Sequence, residues 1–142
     1  MHKSLGIDLG AARVGLALSD DLGMLAHPLE TVRVKGGGDM ASYIAAIVRR
    51  ESVSVVVIGL PRNMDGSHGP AAAKTREFGE KLRAKIPGCE VRYWDERMTT
   101  MAAQKALHKM GRDIKKSRPV IDQVAAQMIL QGYLDSVAMR AE

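Results

Sequence analysis

The chain has 142 residues, of which 46% are hydrophobic and 26% charged, and a net charge of +5. That balance excludes a disordered chain, and the length suits one domain, residues 1–142, with an adequate core. No apolar run approaches the ~20 residues that span a bilayer, the first residues lack the apolar core of a secretory signal, and Cys89 stands alone, which excludes a disulfide framework or a cysteine metal cluster. A soluble cytoplasmic protein is the expectation.

In chain order, "SLGIDLG" and "RVGLALSD" read as two strands joined by the short link "AA", an antiparallel hairpin. "LAHPLETVRV" is a third strand, with Pro28 marking an edge or irregular position. "KGGGD" breaks the pattern, and "MASYIAAIVRRE" has helical spacing that puts Ile44, Ile47 and Val48 on one side. "VSVVVIGL" is a strand covered on both faces. "PRNMDGSHGP" is a loop, "AAAKTREFGEKLRAKI" a helix stopped by Pro87 and Gly88, and "CEVRYW" a further strand ending in "DERMTT". "TMAAQKALHKMG" predicts a helix, and the final helix runs from about Pro119 to about Ala138. A three-strand meander followed by alternating helices and strands predicts an α/β fold: one mixed five-stranded sheet flanked by helices.

Three acids sit where acids are uncommon. Strand alternation puts Leu5, Ile7 and Leu9 on one face and Ser4, Gly6, Asp8 and Gly10 on the other, so Asp8 lies between glycines on an otherwise apolar strand. A turn cap is the plain alternative, yet a buried carboxylate needs a partner or a cation. In the last helix, Gln123, Gln127, Gln131 and Asp135 mark a polar stripe. Asp122 falls off it, among Ala125, Ala126, Ile129 and Tyr133, and faces the core side. A favourable helix N-terminus would account for an acid there but not for its inward direction. The third acid comes from "DERMTT", where Trp94 and Glu96 share one face and Tyr93 and Asp95 the other. Alternation alone leaves open which acid projects with Asp8. Carboxylates from a first strand, a later strand end and a last helix, without cysteine ligands, make an oxygen site suited to Mg²⁺ or Mn²⁺ and to phosphodiester hydrolysis. The glycines around Asp8 would admit metal and a phosphate backbone.

The positive charge is local. Residues 105–118 hold six basic side chains and one acid, while the other fifteen basic and fifteen acidic residues cancel. A patch of that kind fits a polyanion, and a solvated loop is the alternative. The strand-to-loop segment "GLPRNMDGSHGP" can offer backbone N–H groups to a phosphate, but it lacks the ending of a nucleotide-binding P-loop.

"GIDLGAARVGLALSD", "VVVIGLPRNMDGS", "DERMTT" and "VIDQVAAQMILQGYLD" occur in the order found in the YqgF family, and the resemblance spans nearly the whole chain. The resemblance implies an RNase H-like, RuvC-like fold and a metal-dependent nuclease acting on the 16S rRNA precursor. It assigns Asp8, Glu96 and Asp122 as catalytic and metal-ligating residues; resolvase relatives usually have a fourth acid, which the strand end "GLPRN" lacks, leaving Asp65 or Asp95 as candidate helpers. Arg13, Arg62, Asn63, Arg97, Lys115 and Lys116 are the expected contacts to nucleic acid, and a monomer or homodimer the expected state. A Holliday-junction resolvase and a non-catalytic RNA-binding protein are the competing functions. "GIDLGAARVGLAL" also looks like the first phosphate loop of actin-like ATPases, but those need two such domains.

Overall fold

A computed structural model describes residues 3–10, 12–34, 39–61, 68–96 and 118–141. The expected helix over 100–111 and the basic segment before Arg118 lie outside the described residues. The strands are β1 (Lys3–Leu9), β2 (Arg13–Ser19), β3 (Ala26–Arg33), β4 (Val53–Leu60) and β5 (Glu90–Asp95). The helices are α1 (Met40–Arg50), α2 (Pro70–Lys85) and α3 (Arg118–Ala141). These bounds follow the sequence reading closely, with α3 running about one turn further than its apolar period indicates.

The sheet order is β3-β2-β1-β4-β5. β1, β2 and β3 form the antiparallel meander, and β4 and β5 add in parallel beside β1. Pro28 does lie on an edge strand, and the β2–β3 register slips by one residue beside it. The C-terminal ends of β1, β4 and β5 therefore meet on one side of the sheet, where ligands of open α/β sheets usually bind.

Each face has its own core. Leu5, Ile7, Val14, Leu16, Val56 and Ile58 pack beneath α1, whose Ile44, Ile47 and Val48 face inward as their spacing requires, and beneath Leu82 of α2. Asp39 starts α1 by accepting a hydrogen bond from the Ser42 N–H at 3.1 Å. The opposite face, with Ala17 and Val57, is covered by Ala126, Ile129, Leu130 and Leu134 of α3.

The polar stripe of α3 does more than face water. Gln127 Nε2 donates to the Ala26 carbonyl at 2.9 Å, and Gln131 Oε1 accepts from the Ala26 N–H at 2.8 Å. Gln131 Nε2 also donates to the Met24 carbonyl at 2.9 Å. The two glutamines thus tether α3 to the start of β3. We expect Gln131→Ala to cost about 1–2 kcal/mol, because it strands backbone groups that have given up water. A lower urea midpoint at unchanged slope would register that loss.

Candidate active site

Asp8 lies one residue before the end of β1, Glu96 one residue after the end of β5, and Asp122 in the first turns of α3. The parity of β5 now has a definite sense. Trp94 meets Tyr133 edge-on with ring centroids 6.4 Å apart, so its side of β5 faces α3, while Tyr93 packs on the α2 side. Glu96 shares the Trp94 side, as Asp8 shares the Gly6 side of β1.

Small residues in the sheet bring these groups together. A Cβ on Gly59 of β4 would stand 2.5 Å from Ile129 Cδ1 and 2.8 Å from Glu96 Oε1. A Cβ on Gly15, the register partner of Asp8, would overlap the main-chain oxygen of Asp122. The start of α3 therefore rests on bare backbone beside Asp8. This corrects the reading of the glycines as room for substrate. The space over Gly6 is filled by Leu130 and the Ala126 carbonyl, and that over Gly10 by the Arg13 carbonyl.

Asp8 is half-buried, and among the described residues no donor gives its carboxylate a hydrogen bond. Burial, then the charge of Glu96, then that of Asp122, push its pKa up to about 7. The Glu96 carboxyl is also raised, first by burial and then by Asp95. Asp95 thus lies close enough to act electrostatically despite its opposite parity. Arg13, at the start of β2, meets Asp122 with Nε 2.9 Å from Oδ2, both side chains 23% exposed. No sequence pattern signals a pair 109 residues apart.

The donors suit a hard divalent cation: carboxylate oxygens only, one of them half-buried with no hydrogen-bond donor among the described residues. As placed, no group of three acidic, His or Cys side chains among the described residues closes a metal site. Asp122 is turned to Arg13 instead. Arg62, Asn63, Asp65, Arg97, Lys115 and Lys116 lie outside the described residues. A cavity of about 610 Å³ opens at the opposite end of the sheet, lined by Ser4, Leu22, Glu90, Tyr133 and Val137, away from the three acids.

The RuvX family model, described as Holliday junction resolvase, matches residues 2–136. Among curated proteins, the chain is 46% identical over 135 residues to one from Halalkalibacterium halodurans, covering 94% of this chain and 96% of that protein. It is 44% identical over 135 residues to one from Acetivibrio thermocellus, covering 94% and 96%. Both relatives carry the name pre-16S rRNA nuclease. Among solved structures, Thermus thermophilus RuvC in complex with a Holliday junction substrate superposes with a TM-score of 0.65 at 14% identity, over 96% of each chain. That likeness carries the fold, a RuvC-like sheet with its helices. With the family model matched almost end to end and relatives above 40% identity along the whole length, the chain belongs to the RuvX (YqgF) family.

Proposed function

We propose that this protein is a cytoplasmic, single-domain nuclease, monomeric or homodimeric, that uses Mg²⁺ or Mn²⁺ to hydrolyse phosphodiester bonds in precursor 16S rRNA. The observation that carries the reading is Asp8, a half-buried carboxylate without a hydrogen-bond donor among the described residues, with Glu96 just beyond the end of β5 and Asp122 in the first turns of α3. Asp8, Glu96 and Asp122 would hold the cation, which supplies positive charge to the reacting phosphate and lowers the pKa of water when bound. Asp95 adds negative charge beside Glu96 and so strengthens the site's demand for a cation. Arg13, Arg62, Asn63, Arg97, Lys115 and Lys116 would hold the substrate backbone.

The names of the relatives favour the RNA substrate, and the family description favours a second reading, cleavage of four-way DNA junctions. Both substrates should be offered to the protein with Mg²⁺, with Mn²⁺ and with excess chelator. We expect cleavage of a fragment spanning a 16S precursor end, dependent on the divalent ion. Cutting of junction DNA alone selects the second reading, and binding of RNA without metal-dependent cleavage reduces the protein to a binder.

The basic segment supports backbone recognition of low sequence preference. Lys115→Ala with Lys116→Ala should weaken RNA binding and flatten its dependence on salt. The logarithmic slope should fall by up to ~1.4, at ~0.7 for each single-strand phosphate no longer neutralised. Turnover at saturating RNA should change far less. An unchanged slope returns the segment to a solvated loop.

A further inference from the structure

The Arg13–Asp122 pair is odd for a site that needs Asp122 as a ligand. The guanidinium meets Oδ2 at 2.9 Å, and both side chains are largely shielded from water, with only 23% of each exposed. The remaining two acids, Asp8 and Glu96, have no such counter-ion in the described residues. One of three negative charges is thus neutralised from within, and the three acids do not close a metal site as placed.

Arg13 is carried by the first residue of β2, beside the C-terminal end of β1, and Gly10 N–H to Arg13 carbonyl at 2.9 Å fixes its backbone there. Its side chain is long, and it bonds Asp122 through Nε. A cation that draws the Asp122 carboxylate toward Asp8 must take it from Arg13. The guanidinium, with its fork of donors, then faces the site with no carboxylate on it.

Resting on the nuclease reading above, we propose that Arg13 is a substrate-binding residue that acts as a stand-in cation. It holds Asp122 while the site is empty of metal, and it is released by metal binding to clasp a non-bridging oxygen of the substrate phosphate. Metal and substrate are thereby ordered: the substrate's arginine is freed only after the cation arrives. The pairing also lessens the repulsion that Asp122 exerts on the other two carboxylates in the metal-free protein.

Calorimetric titration of the full chain with Mn²⁺, without RNA, tests this apart from catalysis. Arg13→Gln removes the competitor, so it should bind Mn²⁺ roughly threefold to tenfold more tightly than wild type. Its rise in melting temperature on adding Mn²⁺ should be larger for the same reason. Arg13→Lys, which restores a competing charge without the fork, should return Mn²⁺ affinity toward wild type and leave the Michaelis constant for RNA raised. In Arg13→Gln that constant should also rise, against a smaller change in turnover. Wild-type or weaker Mn²⁺ binding by Arg13→Gln overturns the exchange and leaves the metal reading standing. Absence of Mn²⁺ binding by both wild type and variant overturns both.

Discussion

Asp8→Asn should abolish cleavage and, in metal-free buffer at pH 8, leave the protein more stable than wild type. The amide keeps the shape of the side chain but removes a charge that the fold does not itself compensate. The Asp8 carboxyl has a pKa of about 7 in the folded chain against an ordinary 3.8, from burial first and then from Glu96 and Asp122. Between those values the folded state keeps a proton that the unfolded state has lost, so stability is full below about pH 4 and declines as pH rises through 7. At ~1.4 kcal/mol per pH unit, the decline over that window reaches ~4 kcal/mol and then levels off. Asn carries no such cost. Urea denaturation of both proteins at pH 4 and pH 8 should show nearly equal stability at the first and a clear gain for the variant at the second. Equal stability at both would show that Asp8 ionises freely. Activity has the reverse sign: cation binding needs the ionised carboxylate, so cleavage at limiting metal should climb as pH rises through 7. Saturating metal should shift that climb toward acid.

Gly15→Ala should be the most damaging substitution that adds only a methyl group. The new Cβ falls on the main-chain oxygen of Asp122, which has no rotamer by which to escape. Either the first turns of α3 lift or β2 bends, at a cost of ~1–3 kcal/mol for overpacking. A displacement of about 1 Å at a catalytic group is worth ~10²-fold in rate. Cleavage should therefore fall about that far even where the variant remains folded. Gly88→Ala is the matched control. Gly88 has a positive φ of 89° but open space around it, so alanine there strains the backbone by ~1–2 kcal/mol without touching the site. Loss of stability in both variants with loss of turnover only in Gly15→Ala would separate placement of α3 from general weakening.

Much of this arrangement is written in short-range patterns. The alternation in β1 exposes Asp8 as an acid on a face of small residues, and the 3.6-residue period of α3 sets Asp122 apart from the glutamines. Both signals survive folding because strand parity and helix phase are local geometry. The parity of Trp94 and Glu96 is equally legible, but which side faces α3 depends on the packing of Trp94 against Tyr133, a contact between distant segments. Gly15 looks like any strand glycine, and its demand comes from a helix more than a hundred residues away. Arg13 reads as a substrate contact, and nothing near it in sequence announces Asp122. The glutamines of α3 read as a solvent-facing stripe, since a side-chain amide suits water and a peptide group equally well.

Those glutamines also bear on how copies of the protein meet each other. β3 is the outermost strand on its side of the sheet, and an outer strand offers unpaired backbone groups to any other chain. At Ala26 both groups that point outward are already occupied, the N–H by Gln131 and the carbonyl by Gln127. Pro28, two residues on, contributes no N–H at all. The first half of β3 is therefore closed to strand addition by side chains from its own last helix. Until α3 docks, that half of β3 stays open to pairing with a neighbouring chain, so the docking that brings Asp122 beside Asp8 also closes part of one sheet edge.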